Sequence, residues 1–267
     1  MHKPLILLSI LLFTSCKTVD LRTNELKKNP TIQKEQQGRA LLQEMYEAHG
    51  GDHWKQINTY TVSINDRFFG LSRLGSPFGK EFDVTLDMTP LRFTSRASFE
   101  KGKRVSGQTW GIHNGKTYKV ENGQASLKPN KKMAFWLPAI QYFIELPAQI
   151  QNATAVSYLG ERSEDDSTYD LVIASWNTIA PQKDTDQFVL WIDQQTHRVY
   201  KVAFTVRDLG KNIHNEIYYS DYRELDGGII LPFRMPVVKA SSGKRIHEIQ
   251  IKSYELNKVD VSELEVY

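Results

Sequence analysis

The sequence predicts a mainly β protein with a few helices, an α+β fold built on one large, curved antiparallel sheet of about 11–12 strands. Three features lead there. From Thr59 onward, apolar and polar residues alternate with a period of two in segment after segment; one stretch with helical spacing precedes them; and a single apolar run, Lys131 to Pro147, interrupts them in mid-chain. A sheet of that many strands tends to curl or close rather than stay open.

The chain starts Met1-His2-Lys3-Pro4, continues almost wholly apolar from Leu5 to Phe13, and passes Thr14 and Ser15 to reach Cys16, the only cysteine in 267 residues. A basic start, an apolar stretch and a small-residue zone are the three parts of an export signal. A helix over that stretch would rise only about 13 Å against a hydrocarbon core of roughly 30 Å, so it does not suit a spanning helix. Residues 1–15 therefore read as a signal peptide. With one cysteine, no intramolecular disulfide can form, even in an oxidising compartment. Residues 16–37 are dense in Lys, Glu, Gln and Asn and read as a flexible tether. Residues 38–267 read as one domain, a size that an all-β barrel can reach.

That domain opens with a helix over Gly38–His49, in which Leu41, Leu42, Met45 and Ala48 share one face. Gly50-Gly51 ends it, since glycine takes the left-handed conformation of a helix C-terminus, and Asp52 can cap a short second turn that points Trp54 and Ile57 inward. Three early strands follow, with apolar faces at Tyr60, Val62 and Ile64; at Phe82, Val84, Leu86 and Met88; and at Leu91, Phe93, Ala97 and Phe99. The residues between are polar, so this part of the sheet is covered on one side only. Asn114-Gly115 and Asn122-Gly123 are hairpin signals around a strand over 116–121. Further strands are expected over 153–160, 167–176, 187–193, 197–207, 213–222, 228–239 and 244–256. The apolar run at 131–147 is too long and too uniform for a half-wet strand. It reads as a helix kinked near Pro138 and stopped near Pro147, and a helix apolar all round must be buried, here against the apolar face of the sheet.

Chemistry-bearing patterns are sparse. The formal net charge is +3, with 34 basic and 31 acidic residues spread along the chain, which does not suggest nucleic acid. His49 and His53 are spaced as metal ligands on a helix, with Asp52 beside them, but Gly50-Gly51 lies between them and no third ligand is present. His214-Asn215-Glu216 and His247-Glu248 lie on strands, where neighbours face opposite ways; His247 shares parity with Ile249 and Ile251 and reads as an inward, partnered residue. No nucleophile elbow, phosphate loop or dinucleotide fingerprint occurs. The expectation is no catalytic residue, no metal and no cofactor.

Phe13-Thr14-Ser15-Cys16 resembles the lipobox of bacterial lipoproteins, with Phe13 where Leu is commoner. That resemblance implies cleavage before Cys16 and acylation of its sulfur and freed amine. Lys17 is not the Asp of inner-membrane retention, so an outer-membrane, periplasm-facing location is implied. The order of elements, together with Ala48-His49-Gly50-Gly51-Asp52-His53-Trp54, Phe188-Val189-Leu190-Trp191-Ile192-Asp193, His197-Arg198-Val199 and the run from Asp221 to Pro232, resembles the LolA/LolB-like lipoprotein-sorting superfamily over most of 38–256. In that family an incomplete antiparallel barrel wraps an apolar cavity under a helical lid. The resemblance implies a curved half-barrel with the mid-chain helix as its lid, and Met133, Phe135, Trp136, Ile140, Phe143 and Ile144 as ligand-binding residues. It also implies a non-catalytic, membrane-anchored envelope lipoprotein that binds a lipid or acyl group. No acceptor loop of the anchored receptors maps onto this chain. Two other readings stay open: an assembly lipoprotein with a filled barrel that grips an envelope protein partner, and a metal-dependent envelope hydrolase using His49, Asp52 and His53.

Overall fold

The computed structural model describes residues 18–76, 78–164 and 166–267. In chain order these form α1 (Asn24–Lys28), α2 (Ile32–Ala48), β1 (Tyr60–Phe68), α3 (Ser72–Gly75), β2 (Glu81–Thr89), β3 (Thr94–Gly102), β4 (Thr109–His113), β5 (Lys116–Glu121) and β6 (Gln124–Leu127). Then come α4 (Lys131–Ile144), α5 (Leu146–Gln149), β7 (Ala155–Glu164), β8 (Ser167–Ser175), β9 (Phe188–Asp193), β10 (Val199–Thr205), β11 (His214–Tyr218), β12 (Ser220–Glu224), β13 (Ile230–Lys239) and β14 (Lys244–Leu256).

All fourteen strands described belong to one curved, open sheet in the order β6-β5-β4-β3-β2-β1-β14-β13-β11-β10-β9-β8-β7, with β12 paired beside β13. The pairing of β1 with β14 joins the first and last strands, so the two halves of the chain meet mid-sheet. The periodicity undercounted the strands for local reasons. β4 contains Gly111 where an apolar residue would mark a face, β6 is exposed throughout, and the expected strand at 213–222 is two strands separated at Tyr219. β3 starts at Thr94 rather than Leu91, because Leu91 (φ 62°) and Phe93 (φ 49°) lie in left-handed backbone of the β2–β3 turn.

The concave face carries the main core, including Val62, Ile64, Leu86, Val202 and Ile217, and α4 packs into it. Leu137 and Ile144 of α4 are fully buried there, each worth about 1.5–3 kcal/mol of apolar transfer. The helix runs through Pro138; the chain breaks instead at Glu145, and Pro147 sits in the first turn of α5, where no backbone N–H is required. In β8 and β9 both faces are buried: Val172 and Ala174 join the main core, while Tyr169, Leu171, Ile173 and Val189 form a second cluster on the other face.

That second cluster explains a correction. The described part of the expected tether, residues 18–37, is not a free spacer. Leu26 of α1 is 2% exposed within the second cluster, Val19 N–H donates to Lys211 O (3.0 Å), and Arg207 Nη2 donates to Val19 O (2.7 Å). A polar segment cannot build a core alone, but two or three apolar side chains suffice to dock it on a sheet face that already exists. Helix α2 likewise begins at Ile32, capped by the Thr31 hydroxyl, and Gly38 is not its start but the point where it crosses β7. A Cβ there would come within 3.0 Å of the Ser157 and Tyr158 backbone. Gly50 (φ 100°) ends this helix as expected, and the following 3₁₀ turn buries Trp54. Asp52 does not cap the turn; it accepts from Tyr46 Oη (3.0 Å) and pairs with Lys55 (2.6 Å).

Candidate ligand-binding cavity

The C-terminal end of α4 is locked by a carboxylate. Glu145 is fully buried and accepts four hydrogen bonds: from Tyr60 Oη (2.6 Å) and Gln141 Nε2 (2.8 Å) at Oε1, and from Gln149 Nε2 (2.7 Å) and Leu91 N–H (3.0 Å) at Oε2. Gln141 Nε2 also donates to Thr89 O (2.8 Å). Burial pushes the Glu145 carboxyl up to about 7, against the four donors that pull it down. The cluster ties α4 and α5 to β1 and to the β2–β3 turn. Inspection of apolar periodicity missed it, although a signal existed: Gln141, Glu145 and Gln149 recur every four residues within an otherwise apolar run, a polar stripe that only an internal partner can satisfy.

One face of α4 rests over space. A cavity of about 580 Å³ opens between that face, from Lys131 to Phe143, and the strands β10, β11, β13 and β14. Phe135, Trp136, Ile140 and Phe143 line it from the helix, and Phe204, Ile217 and Ile249 from the sheet. Trp136 forms its inner wall, packed edge-on against Phe78 (ring centroids 4.9 Å) and Phe82 (5.7 Å). Ser72 of α3, Leu209 of the β10–β11 turn, Lys131 and Lys132 border the same cavity. His247 stands beside it too, since its register partners are Phe68, the last residue of β1, and Val237. The His247 imidazole stacks on Phe68 (4.4 Å) and its Nε2 is hydrogen-bonded to the buried Asp66 carboxylate, the inward partner that strand parity predicts. The interior is thus filled on the face of α4 that carries Met133, Leu137 and Ile144 and hollow on the face that carries Phe135, Ala139 and Phe143.

Of the six residues expected to touch a ligand, four line this cavity. Met133 (3% exposed) and Ile144 (0%) do not; both lie in solid core. Helical spacing separates them. Met133, Leu137 and Ile144 lie on one stripe against the sheet, Lys132, Phe135, Trp136, Ala139 and Phe143 on a second that faces the cavity, and Ile140 sits at the border of the two. An all-round apolar helix shows two stripes in structure where the sequence shows one run.

The three residues of the hydrolase reading do not converge. His49 is buried with Nδ1 2.7 Å from Met45 O and its ring edge-on to Tyr222, and burial pushes its imidazole down to about 4. Asp52 points outward to Lys55, and the His53 ring lies over Gly228. Among the described residues, no group of three or more His, Cys, Asp or Glu is placed to hold a metal ion. Cys16 and the signal segment lie outside the described residues.

No family model matches the chain, and no curated protein matches it in sequence. Solved structures do match in shape. A domain from Vibrio parahaemolyticus named for outer membrane lipoprotein sorting superposes with a TM-score of 0.59 at 12% identity, covering 86% of this chain and 97% of that one. The fold of this chain is similar to that of the solved domain. A LolA superfamily protein from Nitrosomonas europaea gives 0.57 at 13% identity over 86% and 97% of the two chains. A DUF1329 family protein from Desulfovibrio piger gives 0.57 at 13% identity over 87% and 99%. The open sheet forms a half-barrel around α4, with the cavity on the side of α4 that the core leaves free.

Proposed function

We propose that this protein is a non-catalytic envelope lipoprotein, anchored through Cys16, that holds a lipid or acyl group in the cavity beneath α4. The observation that carries the reading is the 580 Å³ space lined by apolar side chains, within the usual range of ligand sites. Each buried methylene gains about 0.8 kcal/mol, so ten supply about 8 kcal/mol before ordering costs, with no need for a reactive group. The lipoprotein-sorting role assigned to the Vibrio domain fits an acyl ligand and an outer-membrane, periplasm-facing location.

Val19, three residues after Cys16, is also held close to the cavity. Val19 is held to Lys211 and Arg207, in the β10–β11 turn whose Leu209 borders the cavity. The chain from Cys16 to Val19 reaches at most about 11 Å. Leu209 (60% exposed) borders the cavity, and Leu71 (84%) and Leu74 (78%), neighbours in sequence of the lining residue Ser72, are exposed too, a surface suited to resting on lipid. An acylated Cys16 therefore keeps the opening at the bilayer surface, far closer than a free tether of that composition would.

Mass spectrometry of lipids co-purified under native conditions, with uptake of a fluorescent fatty acid, tests the reading. Wild-type protein is expected to carry or take up one chain, and Ala139→Trp, which fills the cavity from α4, to lose uptake while keeping its circular dichroism. Empty wild-type protein that takes up no chain overturns the reading. Cys16→Ala is expected to move the protein from the membrane fraction to the soluble one.

A further inference from the structure

The cavity is apolar in its depth and cationic at its opening. Its only ionisable lining residues among those described are Lys131, Lys132 and His247, and no carboxylate lines it. Along α4 the lysines and Phe143 stand about 18 Å apart at 1.5 Å per residue, so charge and hydrocarbon surface are segregated along one axis. Ile249, Ile217 and Phe204 continue the apolar wall on the sheet side.

No carboxylate neutralises the two lysines, whereas several basic side chains on the strands are paired. Lys252 pairs with Asp83, Lys201 with Glu164, Arg234 with Glu248 and Arg96 with Asp87. Lys131 and Lys132 form no ion pair or hydrogen bond through Nζ among the described residues. Two adjacent, unneutralised ammonium groups at the opening of an apolar cavity attract an anion and repel a cation. His247 adds a directed group. Its Nε2 is engaged by Asp66, whose second oxygen is buried without a partner, and this fixes the ring; as an imidazolium beside that carboxylate it has Nδ1–H left to donate to an anionic head.

We infer that the cavity is a site for a single-chain acidic amphiphile, with the acyl chain between α4 and β10, β11 and β14 and the carboxylate or phosphate head between Lys131, Lys132 and His247. The volume suits one chain: 580 Å³ holds on the order of 15–20 methylene-sized groups if each takes about the 30 Å³ share of a liquid water. This inference rests on the reading of the cavity as a lipid site and narrows it to one class of ligand.

The test is calorimetric titration of the purified, delipidated protein with three C16 probes: palmitate, hexadecanol and hexadecyltrimethylammonium. Palmitate is expected to bind at least tenfold more tightly than the other two. The double variant Lys131→Gln/Lys132→Gln, at two exposed positions, is expected to lose most of that preference while its affinity for hexadecanol stays within twofold. His247→Gln, whose amide can still donate to Asp66, is expected to weaken palmitate severalfold and leave hexadecanol unchanged. Equal binding of palmitate and hexadecanol, stronger binding of the cation, or an unchanged preference in the double variant overturns the inference and leaves the lipid site standing. If none of the three probes binds, the lipid reading itself falls.

Discussion

At its C-terminal end α4 meets a closed set of hydrogen bonds around the fully buried Glu145, whereas at its N-terminal end Phe135 lies 41% exposed over a cavity and two lysines have no partner. Both ends belong to one helix and to one apolar run, yet they are held by different forces. The Glu145 end is directional: each donor has one geometry, and a lost acceptor leaves a buried N–H or O–H unpaired. The N-terminal end has its own cap, the Asn130 side chain accepting from the Lys132 and Met133 amides, but the face over the cavity makes non-directional contacts of apolar side chains, which another apolar body can replace at little cost. A half-barrel can keep an internal helix in place and still offer space to a ligand, because the Glu145 lock and the core stripe fix its position while a separate face is left over the cavity.

Removing the directional lock is expected to have the largest effect. Glu145→Ala strips the acceptor from Tyr60, Gln141, Gln149 and the Leu91 amide and should cost about 3–5 kcal/mol in urea unfolding. A loss below about 1 kcal/mol would show that the lock is not what holds the helix. Next come two residues that the sequence grouped together. Ile144→Ala in the filled region should cost about 2–4 kcal/mol, and Phe135→Ala over the cavity under about 1 kcal/mol; fatty-acid uptake should weaken in the second and persist in any folded fraction of the first. Equal unfolding midpoints for the two variants would erase the distinction between the ends.

The smallest expected effect is on the pH dependence of stability, where two buried groups oppose each other. Glu145 rises from an ordinary value of 4.5 to about 7, so the folded state binds more protons between those values and stability falls as pH rises through that window. His49 drops from 6.5 to about 4, so the unfolded state binds more protons there and stability is lost as pH falls from about 6.5 to 4. Over the shared range the two slopes cancel, and wild-type stability should be flat within about 1 kcal/mol between pH 4.5 and 6.5. Glu145→Gln removes one slope and should expose the other, as a gain of about 2–3 kcal/mol from pH 4 to 6.5. Urea midpoints taken at half-unit intervals of pH check this, and a wild-type slope as steep as that of the variant would refute the cancellation.

Much of the half-barrel was legible because strand alternation is a local property. Tyr60, Val62 and Ile64 announce their face whatever they pack against, and His247 shares its parity with Ile249. The shortfalls were non-local. Gly38 reads as a helix boundary until α2 is seen crossing β7 at a distance that excludes a Cβ. Leu91 and Phe93 continue an alternating pattern, yet the turn that delivers the Leu91 amide to Glu145 needs them in left-handed backbone. Residues 18–37 are too polar to fold by themselves, but β8 and β9 present them with an apolar outer face on which to dock.

For this protein the sequence by itself determined the period of each strand, the end of α2 at Gly50 and the burial of the mid-chain helix, because these follow from the order of polar and apolar residues within a few positions. Only the tertiary structure decided which stripe of α4 became core and which faced a cavity, that Glu145 would be an internal lock, and that Lys131, Lys132 and His247 would meet at one opening. Those outcomes depend on which distant strands close around the helix, and no short-range pattern carries that information.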